Sequence, residues 1–295
     1  MAIVIINVKK KKESEMSILL RILTNYLQLL VTAMSFNASY PSSLTEIFSP
    51  IGRLGSSSDT FLSFDCFIAN YQITGPFPSN SIFKLFLTGV LPVLLLMIVS
   101  LLFALIYVVR PSLFPSLKRS VVIASISIMF LLHPKLASSS VSIFECVKID
   151  TDMFRVRIDT NIECYSTEHL TWCVLLGVPI LAIWIVGAPV AAFVLLYRHI
   201  HKGDDSLVKQ YFMILYQGLK PACFYWEFVN TLRKVVILMV LAVLVTYTPF
   251  YRLIISIVVL VASSRLQIYL KPYKNEAHNE IELLAIISGS VTLFC

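Results

Sequence analysis

Seven long apolar runs separated by polar connections organise this chain. They cover about residues 17–36, 81–109, 119–137, 174–197, 222–248 and 253–270, and a seventh begins near 283 and continues to Cys295. Crossing a bilayer takes about 17–25 apolar residues. In lipid every backbone amide must be paired, so a spanning segment is a helix or a strand of a closed barrel. None of the runs shows the ten-residue alternation of a barrel strand, so helices are expected. The apolar part of the fifth run, 233–248, is short, but its helix can start near Pro221, since proline suits a first turn. The expected fold is all-α: a polytopic transmembrane helix bundle over 17–295, preceded by a basic segment, 1–16.

Polar residues inside the runs form two stripes. Arg21, Asn25 and Gln28 in the first run lie at i, i+4 and i+7, one face of a helix that should point into protein. Glu227, Asn230, Arg233 and Lys234, at the start of the fifth run, share a second face. Arg265 lies within reach of the interface and can snorkel. His133-Pro134 reads as a helix-ending pair, because proline removes a donor and crowds the preceding turn. There is no row of evenly spaced arginines and no potassium-filter sequence.

Composition supports a membrane setting: 57% of residues are apolar and 14% charged, against about 25% charged in soluble domains. Loop charge gives an orientation, because lysine and arginine stay cytoplasmic. Numbering the connections alternately, one set (1–16, 110–119, 198–228, 271–280) carries thirteen Lys and Arg, and the other (37–80, 138–172, 248–252) carries five. The N-terminus is therefore expected in the cytoplasm, with 37–80 and 138–172 outside, in the plasma membrane or an endomembrane. The start "MAIVIINV" followed by "KKKK" reverses the order of a secretory signal. The basic start and the end inside an apolar run read as those of a piece of a longer chain.

The outer connections hold Cys66, Cys146 and Cys164, and Cys173 lies at an outer helix end, on the side where disulfides persist. Asn37, in "NAS", is a glycosylation candidate on the same side. Within 138–172, "FECVKID" and "FRVRID" alternate as a small hairpin would, flanked by Cys146 and Cys164. The expected reading is a Cys146–Cys164 disulfide stapling an outer loop too small for its own core; the rival is a metal site drawing on Cys146, Cys164, His169 and Cys173. The spacing fits no standard zinc pattern.

Enzyme chemistry is not expected. The chain has no glycine-rich phosphate loop, no G-x-S-x-G, no H-E-x-x-H and no paired C-x-x-C. It carries no cofactor motif and nothing that marks a nucleic-acid partner. His199 and His201 are two apart, so on a helix they point to different faces and read as a solvated end. The stretch Lys220 to Lys234, with Trp226, Glu227, Arg233 and Lys234, lies at the expected inner membrane face. It reads either as an interfacial anchor with positive-inside charge or as a gating linker that binds anionic inner-leaflet lipids.

A resemblance is carried by "YQGLKPACFYWEFVNTLRKVVI" and "LQIYLKPYKNEAHNEIELLAI". Gly218, Lys220, Pro221, Tyr225, Trp226 and Glu227 form an aromatic lead, Arg233 and Lys234 open a helix, and Pro272, Tyr273, Asn279 and Glu282 precede the next. With the outer stretches "LSFDCF" and "FECVKIDTDMFRVRIDTNIEC", the pattern over about 17–295 resembles the TRP-like (fungal TRP and polycystin-like) membrane region, as in the C-terminal tails of large protist receptor-like proteins. The resemblance implies a multi-helix membrane protein, with cation conduction proposed for some members, and carries over no pore residue. Two function classes follow. One is a TRP-like cation channel or transport subunit. The other is a receptor or scaffold whose outer loops bind a ligand or partner. The bilayer is the implied partner, with anionic inner-leaflet lipids and a second copy of the chain as further readings.

Overall fold

The computed structural model describes residues 15–34, 77–109, 116–150, 153–201, 211–244 and 249–294. Asn37, Cys66 and most of the basic segment 1–16 lie outside them. Seven long helices make up most of the described chain: α1 (Glu15–Met34), α2 (Asn80–Val109), α3 (Leu117–Ser142), α4 (Thr167–His201), α5 (Trp226–Val243), α6 (Pro249–Leu270) and α7 (Glu276–Phe294). Four of them, α2, α3, α4 and α6 from Phe250 onward, are long and apolar enough to cross a membrane. The other three carry charge inward: Arg21 in α1, Glu227, Arg233 and Lys234 in α5, and Glu282 in α7.

The helices form one bundle. α3 packs against α2, α4 and α5, while α7 packs between α1 and α6, and α5 touches α1 and α6. A shared core joins Leu29 of α1, Leu136 of α3, Ile185 of α4, Ile237 and Leu241 of α5, Leu260 of α6 and Ile286 of α7. α2 is peripheral, fixed to α3 through Val99 against Ile123 and Ala124. Its outer face exposes Met97, Leu101, Leu105 and Val108, a surface water would reject and lipid accepts. Gly89 of α2 allows a close approach to α4, since a Cβ there would lie 2.8 Å from Ile180 Cδ1. Next to that contact, Trp184 Nε1 donates to the Gly89 carbonyl at 2.9 Å.

His133-Pro134 does not end a helix. α3 runs through both to Ser142, and His133 is buried with Nε2 3.2 Å from the Ile185 carbonyl of α4. Pro189, four residues after Ile185, has no N–H to give that carbonyl; the imidazole supplies a donor from the neighbouring helix. α4 is widened to π geometry over Cys173–Gly177 and Leu181–Gly187. Such stretches accommodate local misfits in the helical ladder.

The fold is not wholly α. Between α3 and α4 lies a three-stranded antiparallel sheet, β1 (Cys146–Asp150), β2 (Met153–Val156) and β3 (Asp159–Glu163), in the order β1-β2-β3. The expected hairpin is β1 and β2, with Val147 opposite Arg155. The third strand, "DTNIE", lacks an apolar alternation and turns back at Arg157-Ile158. The sheet rests on the start of α2 and on α4, where Val156, Ile162 and the two half-cystines pack with Ile82 and Trp172. This end of the bundle gathers the C-terminus of α3 and the N-termini of α2 and α4. At the opposite end α1 and α5 begin and the α6–α7 connection turns, so the seven helices alternate in direction.

Candidate functional site

Cys146 and Cys164 form a disulfide with Cα atoms 6.1 Å apart. Strands that flank a common neighbour lie roughly 9–10 Å apart in a flat sheet, so the bridge curls this end of the sheet together. His169 lies against the bridge, but both its ring nitrogens are engaged. Nδ1 accepts from the Tyr165 N–H at 3.2 Å, and Nε2 lies 2.9 Å from the Ile143 carbonyl and 3.3 Å from Cys173 Sγ. That pattern fixes the Nε2–H tautomer. With two sulfurs bonded to each other and no free ring lone pair, the four residues do not offer the donor set of a metal site. Nearby, Glu145 pairs with Arg157 at 3.0 Å. Burial raises the Glu145 pKa above its ordinary value, with Arg157 opposing it.

The second site lies at the opposite end and unites the two polar stripes. Arg21 Nε lies 3.5 Å from Glu227 Oε2, and its Nη2 donates to the Gln217 carbonyl at 2.8 Å. Asn25 Nδ2 donates to Glu227 Oε1 at 3.1 Å. Lys234 Nζ donates to Asn25 Oδ1 at 2.8 Å and to Gln28 Oε1 at 2.7 Å. The helical period explains the fit: residues 21, 25 and 28 on α1 and 227 and 234 on α5 recur along one face of each helix, and those faces abut.

α7 and the α6–α7 connection close the network. Trp226, 1% exposed, donates from Nε1 to Glu282 Oε1 at 3.3 Å. The Arg21 guanidinium lies 6.0 Å over the Tyr273 ring. Tyr273 is itself buried, and burial followed by the charge of Glu282 holds its hydroxyl pKa well above the usual value. Asn279 fixes the connection, its Oδ1 accepting from the Tyr273 N–H at 2.9 Å and its Nδ2 donating to the Tyr273 carbonyl at 3.1 Å.

The two stretches that carry the resemblance meet here. The Lys220 N–H donates to the Pro272 carbonyl at 2.8 Å, and the Lys274 N–H to the Gly218 carbonyl at 2.9 Å. Leu219 bridges Tyr273 between them. Gly218 has φ +78, a region open to glycine at no steric cost. An added Cβ would lie 2.5 Å from Ile18 Cδ1 of α1.

Of the residues singled out in the linker, Lys220 is half-buried and Trp226, Glu227, Arg233 and Lys234 are buried. The side chains of the last four therefore pack within the bundle. Glu282, Tyr273 and Asn279, prominent in the sequence only through the resemblance, complete the site. Glu282 lies in the polar opening turns of α7, two residues after Glu280, so nothing local in the sequence sets it apart.

Comparison with protein-family models, curated proteins and solved structures finds no match to the chain.

Proposed function

We propose that this chain is the seven-pass membrane module of a TRP-like channel or transport protein. The observation that carries the reading is the buried network of Arg21, Glu227, Lys234 and Glu282 among apolar helices. Ionisable groups within a membrane bundle are costly and mark conduction, coupling or gating elements. The network ties α1, α5 and the α6–α7 turn into one unit, so displacement of the Lys220–Lys234 stretch moves all three. Its three basic groups make it a gating element rather than a lane for cations. Bilayer lipid covers the apolar outer faces, with a second copy of the chain as a further occupant.

The orientation in this proposal places the network at the cytoplasmic end and the sheet outside, following the thirteen-to-five split of loop lysine and arginine. Exposed positions at the two ends test it: Tyr165→Cys should react with an impermeant thiol reagent on intact cells, and Lys271→Cys only after permeabilisation. The reverse pattern inverts the topology.

Function is tested by reconstituting the protein in liposomes and recording currents with and without anionic lipid. Flux that changes when Arg233 and Lys234 become glutamine supports the gating role. Flux unaltered by the double change makes the network a structural staple. Absence of flux in both lipid compositions favours the second reading, a receptor or scaffold. The stapled sheet supports that alternative, since it presents Ile149, Met153 and Tyr165 at the surface.

A further inference from the structure

One cavity in the bundle takes no part in the charged network. It lies between α3 and α4 and has a volume of about 290 Å³. Its room comes from α4, where Ala188, Ala191 and Ala192 share one face and meet Met129 and Phe130 of α3 across the space. An apolar cavity of about 150 Å³ already admits benzene, so a substituted ring fits here. Pro189 also lines a second cleft, between α4 and α5, of about 420 Å³. Among the described residues, the walls of that cleft carry no buried polar side-chain atom without a partner, and lipid chains suit it.

The cavity between α3 and α4 differs by one atom. His133 lines it, is 3% exposed, and leaves Nδ1 without a hydrogen-bond partner. Nε2 lies 3.2 Å from the Ile185 carbonyl and must be the donor there, so in the neutral ring Nδ1 is an acceptor. A buried acceptor with no donor needs an explanation. Water is a poor one, since a buried water takes about two to four polar partners. Ser125 is the other polar side chain on these walls. It sits two turns away along α3, about 12 Å, and already donates to the Val121 carbonyl at 2.8 Å. A lipid chain would fill the space and leave Nδ1 unpaired. The missing group is therefore a single donor on an apolar body, and a hydroxyl meets both terms. An ammonium would lose its water with no counter-charge on the walls. An amide or carboxylic acid would bring a carbonyl that no lining side chain is free to serve.

We infer that the cavity between α3 and α4 binds a compact lipophilic alcohol or phenol, its hydroxyl donating to His133 Nδ1. Such molecules dissolve in the bilayer, and the cavity is partly open. Donation to Nδ1 polarises the ring and strengthens the Nε2–H bond to Ile185, which lies in the π-widened stretch of α4. The ligand therefore tightens α4 on α3. The site is separate from the charged network and holds whether or not the protein conducts.

The test reads binding rather than flux, with the full chain in neutral detergent. Para-trifluoromethylphenol carries the donor, and para-trifluoromethyltoluene has the same body without it. At equal concentration in the micelle, fluorine NMR should show saturable binding of the phenol, roughly tenfold tighter than the toluene, the worth of one neutral hydrogen bond. With nitrogen-labelled histidine, the His133 Nδ1 resonance should move on adding the phenol and stay on adding the toluene. His133→Gln keeps an amide donor for Ile185 but not the ring acceptor, and the advantage of the phenol should vanish. Ala192→Leu fills the cavity and should abolish binding of both probes. Should His133→Gln fail to fold, Ala192→Leu and the Nδ1 shift carry the comparison. Equal affinity for the two probes overturns the ligand class and makes the cavity an acyl-chain groove. Saturable binding of neither probe overturns the site. A phenol preference that persists in His133→Gln overturns the anchor, and binding unaffected by Ala192→Leu overturns the location.

Discussion

Lys234 and Asn25 are 209 residues apart in sequence, and their side chains meet at 2.8 Å. The same asparagine donates to Glu227, so one amide joins a cation and a carboxylate that lie two turns apart on α5. This exchange locks the first helix to the fifth. It also explains how α1 tolerates an arginine, an asparagine and a glutamine on a face packed against other helices: each finds a partner already in place.

Removing both sides of this pair should therefore cost less than the sum of removing each alone. Arg21→Met or Glu227→Gln alone leaves an uncompensated buried charge, and each is expected to destabilise the bundle by about 3–5 kcal/mol. The double variant should recover part of the sum, with a coupling of about 0.5–3 kcal/mol. Unfolding in detergent of the four proteins of the cycle gives the number. Strict additivity would mean the pair at 3.5 Å contributes nothing as a pair.

The bridge between Cys146 and Cys164 closes a segment with a sequence separation of 18. By loop entropy its loss should cost roughly 3 kcal/mol. Cys146→Ser with Cys164→Ser should release the sheet from α4, read as faster amide exchange in β1 to β3. Peptide mapping without reduction should recover the two cysteines joined and Cys173 as a free thiol. A Cys173 mixed disulfide in freshly extracted protein contradicts the pairing.

Helical period was the part of this structure written plainly in the sequence. Residues 21, 25 and 28 and residues 227, 230, 233 and 234 could be assigned to single faces from spacing alone; the second face is buried, and on the first Asn25 is buried with Arg21 and Gln28 half-buried. What spacing could not supply was the partner. Nothing local to Lys234 points to Asn25, so its charge read equally well as a membrane-surface anchor, and only the packing of α1 on α5 turns it inward. His133-Pro134 misled for a related reason. Proline ends helices in water, but a neighbouring helix can absorb the disruption, and α3 continues. The third strand escaped notice because "DTNIE" has a single buried apolar residue, Ile162; its pairing with β2 is dictated by the turn and the disulfide.

The Glu145–Arg157 pair makes a pH prediction. Burial raises the Glu145 pKa, and Arg157 only partly offsets it. The folded state therefore holds this proton more tightly than the unfolded chain does. The stabilisation from protonation is fully present below the ordinary glutamate value of about 4.3 and is lost as pH rises through the raised folded value. Wild type minus Glu145→Gln stability should fall over that window and then level. Arg157→Met, which removes the opposing charge, should enlarge the fall. Unfolding midpoints of the three proteins across this pH range check it, and a difference that grows with pH has the wrong sign.

Gly218 offers a prediction in which two costs can be separated. Its φ of +78 lies where a side chain is disfavoured, at about 1–2 kcal/mol. Independently, a Cβ would press on Ile18 Cδ1 at 2.5 Å and on Cγ1 at 3.1 Å. Ile18 belongs to the cluster of Leu219, Trp226 and Tyr273, so it cannot retreat without loosening the residues that seat the network. The Gly218 carbonyl also receives the Lys274 N–H at 2.9 Å, which pins the α6–α7 connection to this turn. Gly218→Ala should therefore destabilise the protein by more than the conformational cost alone. Ile18→Val removes the Cδ1 atom that makes the shorter contact. In the Gly218→Ala background it should restore the steric part and leave the conformational part, while in the wild type it should cost about 0.5–1.5 kcal/mol as an ordinary core truncation. Thermal midpoints of the four combinations measure both terms. A neutral Gly218→Ala would show that the turn relaxes away from Ile18. A double variant no better than Gly218→Ala would show that backbone conformation, rather than the approach of α1, is what demands glycine at this turn.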